Sequence, residues 1–289
     1  METLYHYCPN SRFESIINNR EIWLSSLTLS NDSMEGKLVA RTLRRIAKSE
    51  GLDELVVQGL QDLMQPYEAK FGALGFCLSS DPDVLSQWRG YADDASGVSI
   101  GFSSEYLKQL GDPDLHHGRV IFSLGPVMYT DEDHELVVKP TYNKAKEPID
   151  RGALNPVPSK LLAIIKGPLD EETRKARQSF ADAEEELSSH LLSLLPKLFY
   201  MKAQAFQEEK EWRLVSLYFL GKPEDCKFRA SGDRIIPYRS CELRTDEVQP
   251  IKEVWLGPKN RTPIYVVEDF LKAKGFGEVP VRKSTATYR

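Results

Sequence analysis

The stretch Glu209-Lys210-Glu211-Trp212-Arg213-Leu214-Val215 carries charges where an apolar strand should have none. With the two-residue period of a β-strand, Glu209, Glu211 and Arg213 share one face, while Lys210, Trp212 and Leu214 share the other. The run continues through Val215, Ser216, Leu217, Tyr218, Phe219 and Leu220 with both faces largely apolar, the pattern of a central strand covered on both sides. Two carboxylates and a guanidinium carried into such a strand must pair with one another or line a cavity, because isolated buried charge is too costly. Two readings follow. Either the strand starts at a sheet rim, where Arg213 neutralises Glu211 and water solvates Glu209, or the three groups mark a functional cleft.

Bulk properties narrow the class. A chain of 289 residues is long enough for one large domain or two small ones. Its 41% hydrophobic and 28% charged content is that of an ordinary globular protein. A net charge of -5 gives no electrostatic reason for non-specific binding to a phosphate backbone. The cluster Arg41, Arg44 and Arg45 reads as a solvated helix face. The four cysteines, Cys8, Cys77, Cys226 and Cys241, form no C-x-x-C pair, so neither a structural zinc site nor a disulfide scaffold is expected. The first residues show no basic region followed by an apolar one, so no secretory signal is expected. No apolar run reaches the length of a membrane span. A cytoplasmic protein is the expectation.

Periodicity and turn residues predict strands over 4–8, 21–26, 73–79 and 97–102, with a helix over 12–19 capped by Ser11. A helical region over 34–68 is interrupted near Gly51, and Asp81-Pro82-Asp83 opens a short helix to Tyr91. Segments 119–123 and 125–129 read as a hairpin or as two consecutive strands. The stretch 130–158, rich in Asp, Glu, Lys and Pro, reads as an exposed loop. Helices are expected over 159–166 and, with Asp170 as cap, over 170–195. The strand holding Glu211, strands near 233–239 and 251–257, a helix over 264–273 and a strand near 278–281 follow. Strands at both ends with helices between predict a single α+β domain over 1–289, built on a central mixed or antiparallel sheet. A mainly loop and helical insertion falls at about 130–200. The halves of such a sheet meet, which brings His6 near Glu211.

Several nucleotide and catalytic signatures are missing. There is no G-x-x-x-x-G-K-[ST], no G-x-G-x-x-G and no G-x-S-x-G. Gly97 and Gly101 read as a close backbone approach within a strand. His116 and His117, near Asp112 and Asp114, read as a solvated loop. Asp32, Glu35, Glu209 and Glu211 are the acidic set that a Mg²⁺-dependent nuclease would require, a minor alternative.

The order of several short blocks carries a resemblance. They are LYHY at 4–7, NDSMEG at 31–36, FCLS at 76–79, QWRGYA at 87–92, GVSIGF at 97–102, VMY at 127–129, Lys202, and EKEWR at 209–213. In this order they resemble the uncharacterised bacterial family catalogued as domain of unknown function 2971, from residue 4 to about 257. Ser33 and Met34 stand where that family usually has Pro and Phe, while Asn31, Asp32 and Glu35 are kept.

A more distant resemblance is to ADP-ribosyltransferases, and it implies a split sheet and an activity. The shared layout is an opening strand with His, a middle strand running into an aromatic-bearing helix, and a late strand with Glu-x-Glu. Matched by order, His6, Tyr91 (or Trp88) and Glu211 correspond to the His, Tyr and Glu of one branch, and Glu209 to the first Glu of the pair. The resemblance implies NAD as substrate and an unidentified protein or nucleic acid as acceptor, in a toxin or phage-defence setting. Cleaving the nicotinamide–ribose bond passes through an oxocarbenium-like state, which Glu211 would stabilise. Glu209 would orient or deprotonate the acceptor. His6 would bond the adenine-side ribose, and Tyr91 or Trp88 would stack on nicotinamide. Arg213, or Arg12, would meet the pyrophosphate, and Ser79 would be a further cofactor contact. Beside these stand plainer readings. His6 is also a packing histidine, Trp88 and Tyr91 a helical core stripe, and Asn31-Asp32 a turn. The rival class is a non-catalytic module that binds a nucleotide or a partner.

Overall fold

The structure, a computed structural model, describes residues 3–29, 36–110, 122–154, 171–221, 226–245 and 248–288. The readings of the loop at 30–35, of Asp112, Asp114, His116 and His117, of the helix at 159–166 and of the Asp170 cap lie outside the described residues. Ten strands run β1 (Thr3–Cys8), β2 (Glu21–Ser26), β3 (Phe71–Ser79), β4 (Val98–Ser103), β5 (Phe122–Pro126), β6 (Glu211–Phe219), β7 (Lys227–Ser231), β8 (Arg234–Glu242), β9 (Ile251–Leu256) and β10 (Val281–Lys283). The α-helices among the described residues are α1 (Asn10–Asn19), α2 (Leu38–Ser49), α3 (Glu54–Lys70), α4 (Leu85–Tyr91), α5 (Ser104–Gln109), α6 (Asp131–Asp150), α7 (Glu171–Leu192) and α8 (Ile264–Ala273). A large open sheet with segregated helices is an α+β arrangement. The chain forms two compact units: Met1–Asn31, Gly72–Val127 and Ala203–Arg289 make one, and Asp32–Phe71 with Met128–Lys202 the other.

The first unit is organised by β3. Strand order is β10-β9-β4-β1-β3-β2-β8-β7, with β6 also on β3 and β5 on β6. Among the described residues β9 and β10 pair in parallel, while β1 with β4, β2 with β3 and β8, β4 with β9, β5 with β6 and β7 with β8 are antiparallel. A strand has two edges, so the three neighbours of β3 force two of them to share one. Backbone groups alternate between edges along an antiparallel strand. The Ser80 amide donates to the Lys210 carbonyl at 3.0 Å, which puts β6 on the even-numbered edge. The Ala73 carbonyl accepts from Leu27 on the odd edge, where β2 pairs at Gly75. Since β6 fills the even edge, β1, which pairs at Ser79, shares the odd edge with β2. The sheet therefore divides along β3, and Cys77 sits between the two pairings.

One face of this sheet is apolar throughout. Leu4, Ile22, Leu24, Phe76, Leu78 and Leu214 join a core closed by Phe13, Ile16 and Ile17 of α1. The other face carries Tyr5, Tyr7, Trp23, Ser25, Cys77 and Ser79, because cross-strand partners share a face. Helix α1 starts at Asn10, not behind a Ser11 cap: Pro9 precedes it, and the Pro9 carbonyl accepts from Arg12 and Phe13 at 3.0 Å. The close approach predicted at Gly97 is present at the end of α4, where a Cβ would stand 2.2 Å from the Cys8 carbonyl oxygen.

The second unit is helical. The predicted break at Gly51 separates α2 from α3, with Gly51 at φ +77. The segment read as an exposed loop from 130 is instead the 20-residue helix α6. The Thr130 hydroxyl accepts from the Asp133 amide, and Asp131, Glu132 and Asp133 fill the first turn where the helix dipole favours acids. Val138, Tyr142, Ala145 and Ile149 are buried on one side, and α6 packs on α2 and α7. That burial outweighs the cost of Pro140 and Pro148 inside the helix. Arg45 of α2 pairs with Asp131 and Glu135 of α6, so the basic cluster is partly engaged in ion pairs.

Gly97→Ala tests the tightest contact in this fold. The obstruction is backbone, which cannot rotate away, so the substitution should cost about 1–3 kcal/mol or more in urea unfolding. Gly90→Ala, where nothing lies within 4 Å, should not destabilise.

Candidate active site

The site is assembled where β6 begins. Glu209 does not belong to the strand: it ends a 3-10 helix, Gln204–Glu209, and Lys210 turns the chain in the left-handed region at φ 46 before Glu211 opens β6. The end of β3 holds this turn. The Ser79 hydroxyl donates to the Glu209 carbonyl at 2.8 Å, and the Lys210 ammonium pairs with Asp81 at 2.9 Å. Ser79 is thus a support of the backbone at Glu209.

Glu211 and Arg213 do share a face, two residues apart, and they pair directly. Arg213 Nε donates to one Glu211 carboxylate oxygen at 2.7 Å and its second nitrogen to the other at 3.1 Å. Their relative exposures are 6% for Glu211 and 2% for Arg213, so the pair is inside the protein and not at a rim. The two-pronged geometry is the strongest form of the contact. Gly125 stands opposite Arg213 in β5 and adds no side chain there.

Tyr91 closes the cluster from α4. Its hydroxyl donates to Glu209 Oε1 at 3.0 Å, and the residue is 46% exposed. Burial of the hydroxyl end, then the charges of Glu209 and Glu211 and the Cys77 thiol, raise the phenol pKa well above its ordinary value, so it stays a donor. The end of α4 is fixed by an unusual backbone. Asp93, Asp94 and Ala95 are all left-handed, at φ 51, 49 and 72, a strain of roughly 1 kcal/mol or more per residue. Asp94 is anchored by Lys259 at 2.8 Å and Tyr288 at 2.7 Å, and the Ala95 amide bonds the Trp88 carbonyl.

Two other predicted contacts lie differently. Trp88 is fully buried, edge-on to Tyr7 at 4.8 Å, with its indole N–H donated to Asp83 at 2.7 Å. Its ring packs among Tyr5, Tyr7, Ala92 and Ala95, so it positions α4 and presents no open face. His6 alternates away from Tyr5 and Tyr7 onto the core side, stacked on Phe76 at 4.2 Å. Its Nδ1 lies 2.8 Å from the Cys77 carbonyl, which can only accept, so Nδ1 carries the proton. Burial is the main influence on the ring. The carbonyl bond partly opposes it, the Arg12 charge adds to it, and the pKa falls to about 4, leaving the imidazole neutral at pH 7. The structure brings Tyr91, Glu209, Glu211 and Arg213 together, and joins His6 to them through Cys77. Cys77 has its carbonyl toward His6 and an exposed side chain in a strand whose other inner residues are buried. No expectation was attached to Cys77; its place in an apolar strand gave no sign that the strand is uncovered at that point.

Among the described residues, no three His, Cys, Asp or Glu are grouped to hold a metal ion. Among the same residues, no helix is long and apolar enough to cross a membrane. With this geometry in view, the family comparison is specific. Residues 87–214, which include most of α4 with Tyr91 and the start of β6 with Glu211 and Arg213, match the family described as "Protein of unknown function (DUF2971)". Searches of the curated proteins and of the solved structures gave no match.

Removing one partner of the buried pair should be far worse than weakening it. Glu211→Ala, which leaves a guanidinium buried beside an apolar methyl, should cost about 3–5 kcal/mol in urea unfolding. Glu211→Ala combined with Arg213→Met should recover part of that loss. A double variant no more stable than Glu211→Ala would show that the ion pair is not the interaction being lost.

Proposed function

We propose that the protein is an ADP-ribosyltransferase-like enzyme that takes NAD as substrate and acts near Tyr91, Glu209 and Glu211. The observation that carries this reading is the meeting of two carboxylates and a half-exposed phenol beside the division of the sheet along β3. In the reaction the bond from ribose C1′ to the nicotinamide nitrogen breaks, with its electron pair leaving on the ring. Positive charge grows on the ribose, and an acceptor or water oxygen closes on C1′ as its proton passes to a base. Glu209 is the better placed carboxylate for the proton, since it is held by an exposed side chain, Tyr91. Glu211 adds negative potential from within the strand, reduced by its pairing with Arg213. A cytoplasmic setting belongs to the same proposal, and the lack of a disulfide among the four cysteines agrees with it. The acceptor is a protein or nucleic acid in this reading.

One observation favours a second reading. A carboxylate engaged at both oxygens by a buried guanidinium has its hydrogen-bonding capacity directed inward. That arrangement suits a module that binds a nucleotide or partner without turnover.

Nicotinamide release from NAD, measured with and without cell extract as acceptor, separates the two. The catalytic reading expects release by the wild type, a loss of about 100-fold or more in Glu209→Gln and Glu211→Gln, and a smaller loss in Tyr91→Phe. No release from the wild type under either condition would leave the binding module as the function.

A further inference from the structure

We propose that Arg12, Trp23 and Arg229 form a subsite for a phosphate-class oxyanion, on the same sheet face as Cys77. Trp23 is the shelf. The Arg12 guanidinium lies 5.2 Å from the centre of its indole and that of Arg229 5.8 Å, while Tyr238 leans on the indole at 4.7 Å. Glu21 accepts the indole N–H at 2.7 Å, so the ring is fixed in orientation. All four side chains are partly exposed.

The arrangement sets two guanidinium groups against one indole, whose N–H the Glu21 carboxylate holds. Neither Arg12 nor Arg229 forms an ion pair with a carboxylate among the described residues. Arg229 donates one terminal nitrogen to the Ser25 hydroxyl at 3.1 Å, yet its Nε is buried with no hydrogen-bond partner. Burial and then the charge of Arg12 both disfavour its protonated form. Two like charges gathered at one ring repel, and an anion bound to their exposed terminal nitrogens relieves that repulsion. A guanidinium beside an aromatic ring keeps its N–H groups as donors, and a tetrahedral oxyanion accepts several such bonds at once. Charge selects among anions. A carboxylate neutralises one guanidinium, whereas a phosphate group at about -1.5 to -2 matches two. The subsite requires neither Glu209 nor Glu211, but as a place for the diphosphate of NAD it rests on the proposed function.

The test is calorimetric titration of inorganic pyrophosphate into the full chain, at low and at high salt. Saturable binding is expected, weakened at least about tenfold in Arg12→Gln and in Arg229→Gln, and weakened by salt in the wild type. Arg244→Gln, which removes an exposed partner of Glu242, should bind as the wild type does. Pyrophosphate should also change the tryptophan fluorescence, and Trp23→Leu should abolish that change. Should Arg229→Gln fail to fold by circular dichroism, Arg12→Gln, on a helix surface, carries the comparison. No saturable binding to the wild type, or affinities in the folded Gln variants within twofold of it, would overturn the subsite. Pyrophosphate binding that depends on the two arginines, in a protein releasing no nicotinamide, supports the subsite and ends the catalytic proposal. Nicotinamide release without pyrophosphate binding does the reverse.

Discussion

The constraint on which the first unit rests is that β3 has two edges and three neighbours. β6 takes one edge, so β1 and β2 must diverge along the other. Divergence leaves backbone between the two pairings, and a buried carbonyl there needs a donor. His6 supplies one to Cys77, and a neutral imidazole can do so without bringing a charge into the core. The same divergence uncovers the other side of the strand, which explains an exposed Cys77 between buried neighbours. The serines that end β3 then fix the turn from Glu209 to Glu211. The cluster at the start of β6 thus inherits its geometry from how one strand shares its edge.

Charge on this face is arranged in three different states of compensation. Glu211 and Arg213 neutralise each other out of water, where the gain from pairing has to offset several kcal/mol of lost hydration per ion. Glu209, itself buried, accepts a hydrogen bond from the half-exposed Tyr91 phenol. Arg12 and Arg229 share an indole and are left with a positive excess. Stability alone explains the first state. The other two place charge of opposite sign at separate points of one sheet face, which a purely structural role does not require.

Much of the architecture was legible because it depends on local period. The strands expected at 4–8, 21–26, 73–79 and 97–102 and the helices split at Gly51 all announce themselves by alternation, apolar stripe or glycine. Gly97 was legible as a close approach for the same reason. The failures have a common cause in non-local energy. No glycine marks Lys210 as left-handed, so Glu209 read as part of the strand instead of the end of a 3-10 helix. Its content of Asp, Glu, Lys and Pro made 130–158 look unstructured, although packing of α6 on α2 and α7 outweighs Pro140 and Pro148. Strand β5 was expected in a local hairpin or as one of two consecutive strands, but its partner is β6, about ninety residues on, where no turn signal could point. Strand β7 is exposed on both faces at most positions and so lacks any alternation to read. Arg229 lies on it, which is why the cationic pair was invisible: Arg12, Trp23 and Arg229 come from three segments and form no motif.

The opposed charges bear directly on what could be bound. A dinucleotide such as NAD has a negative diphosphate and a positive pyridinium, so a face with separated cationic and anionic points orients it in one sense. Orientation alone does not accelerate the reaction. During bond cleavage the positive charge leaves the ring and appears on the ribose, so a carboxylate nearest the ring would hold the ground state more firmly than the transition state. In the proposed reaction a carboxylate would therefore have to follow the ribose carbon. Glu209, delivered by a turn and steadied by a tyrosine, can be directed there independently of the sheet, whereas Glu211 is committed to Arg213 within the strand. The different settings of two carboxylates only two residues apart follow from where the left-handed Lys210 interrupts the chain.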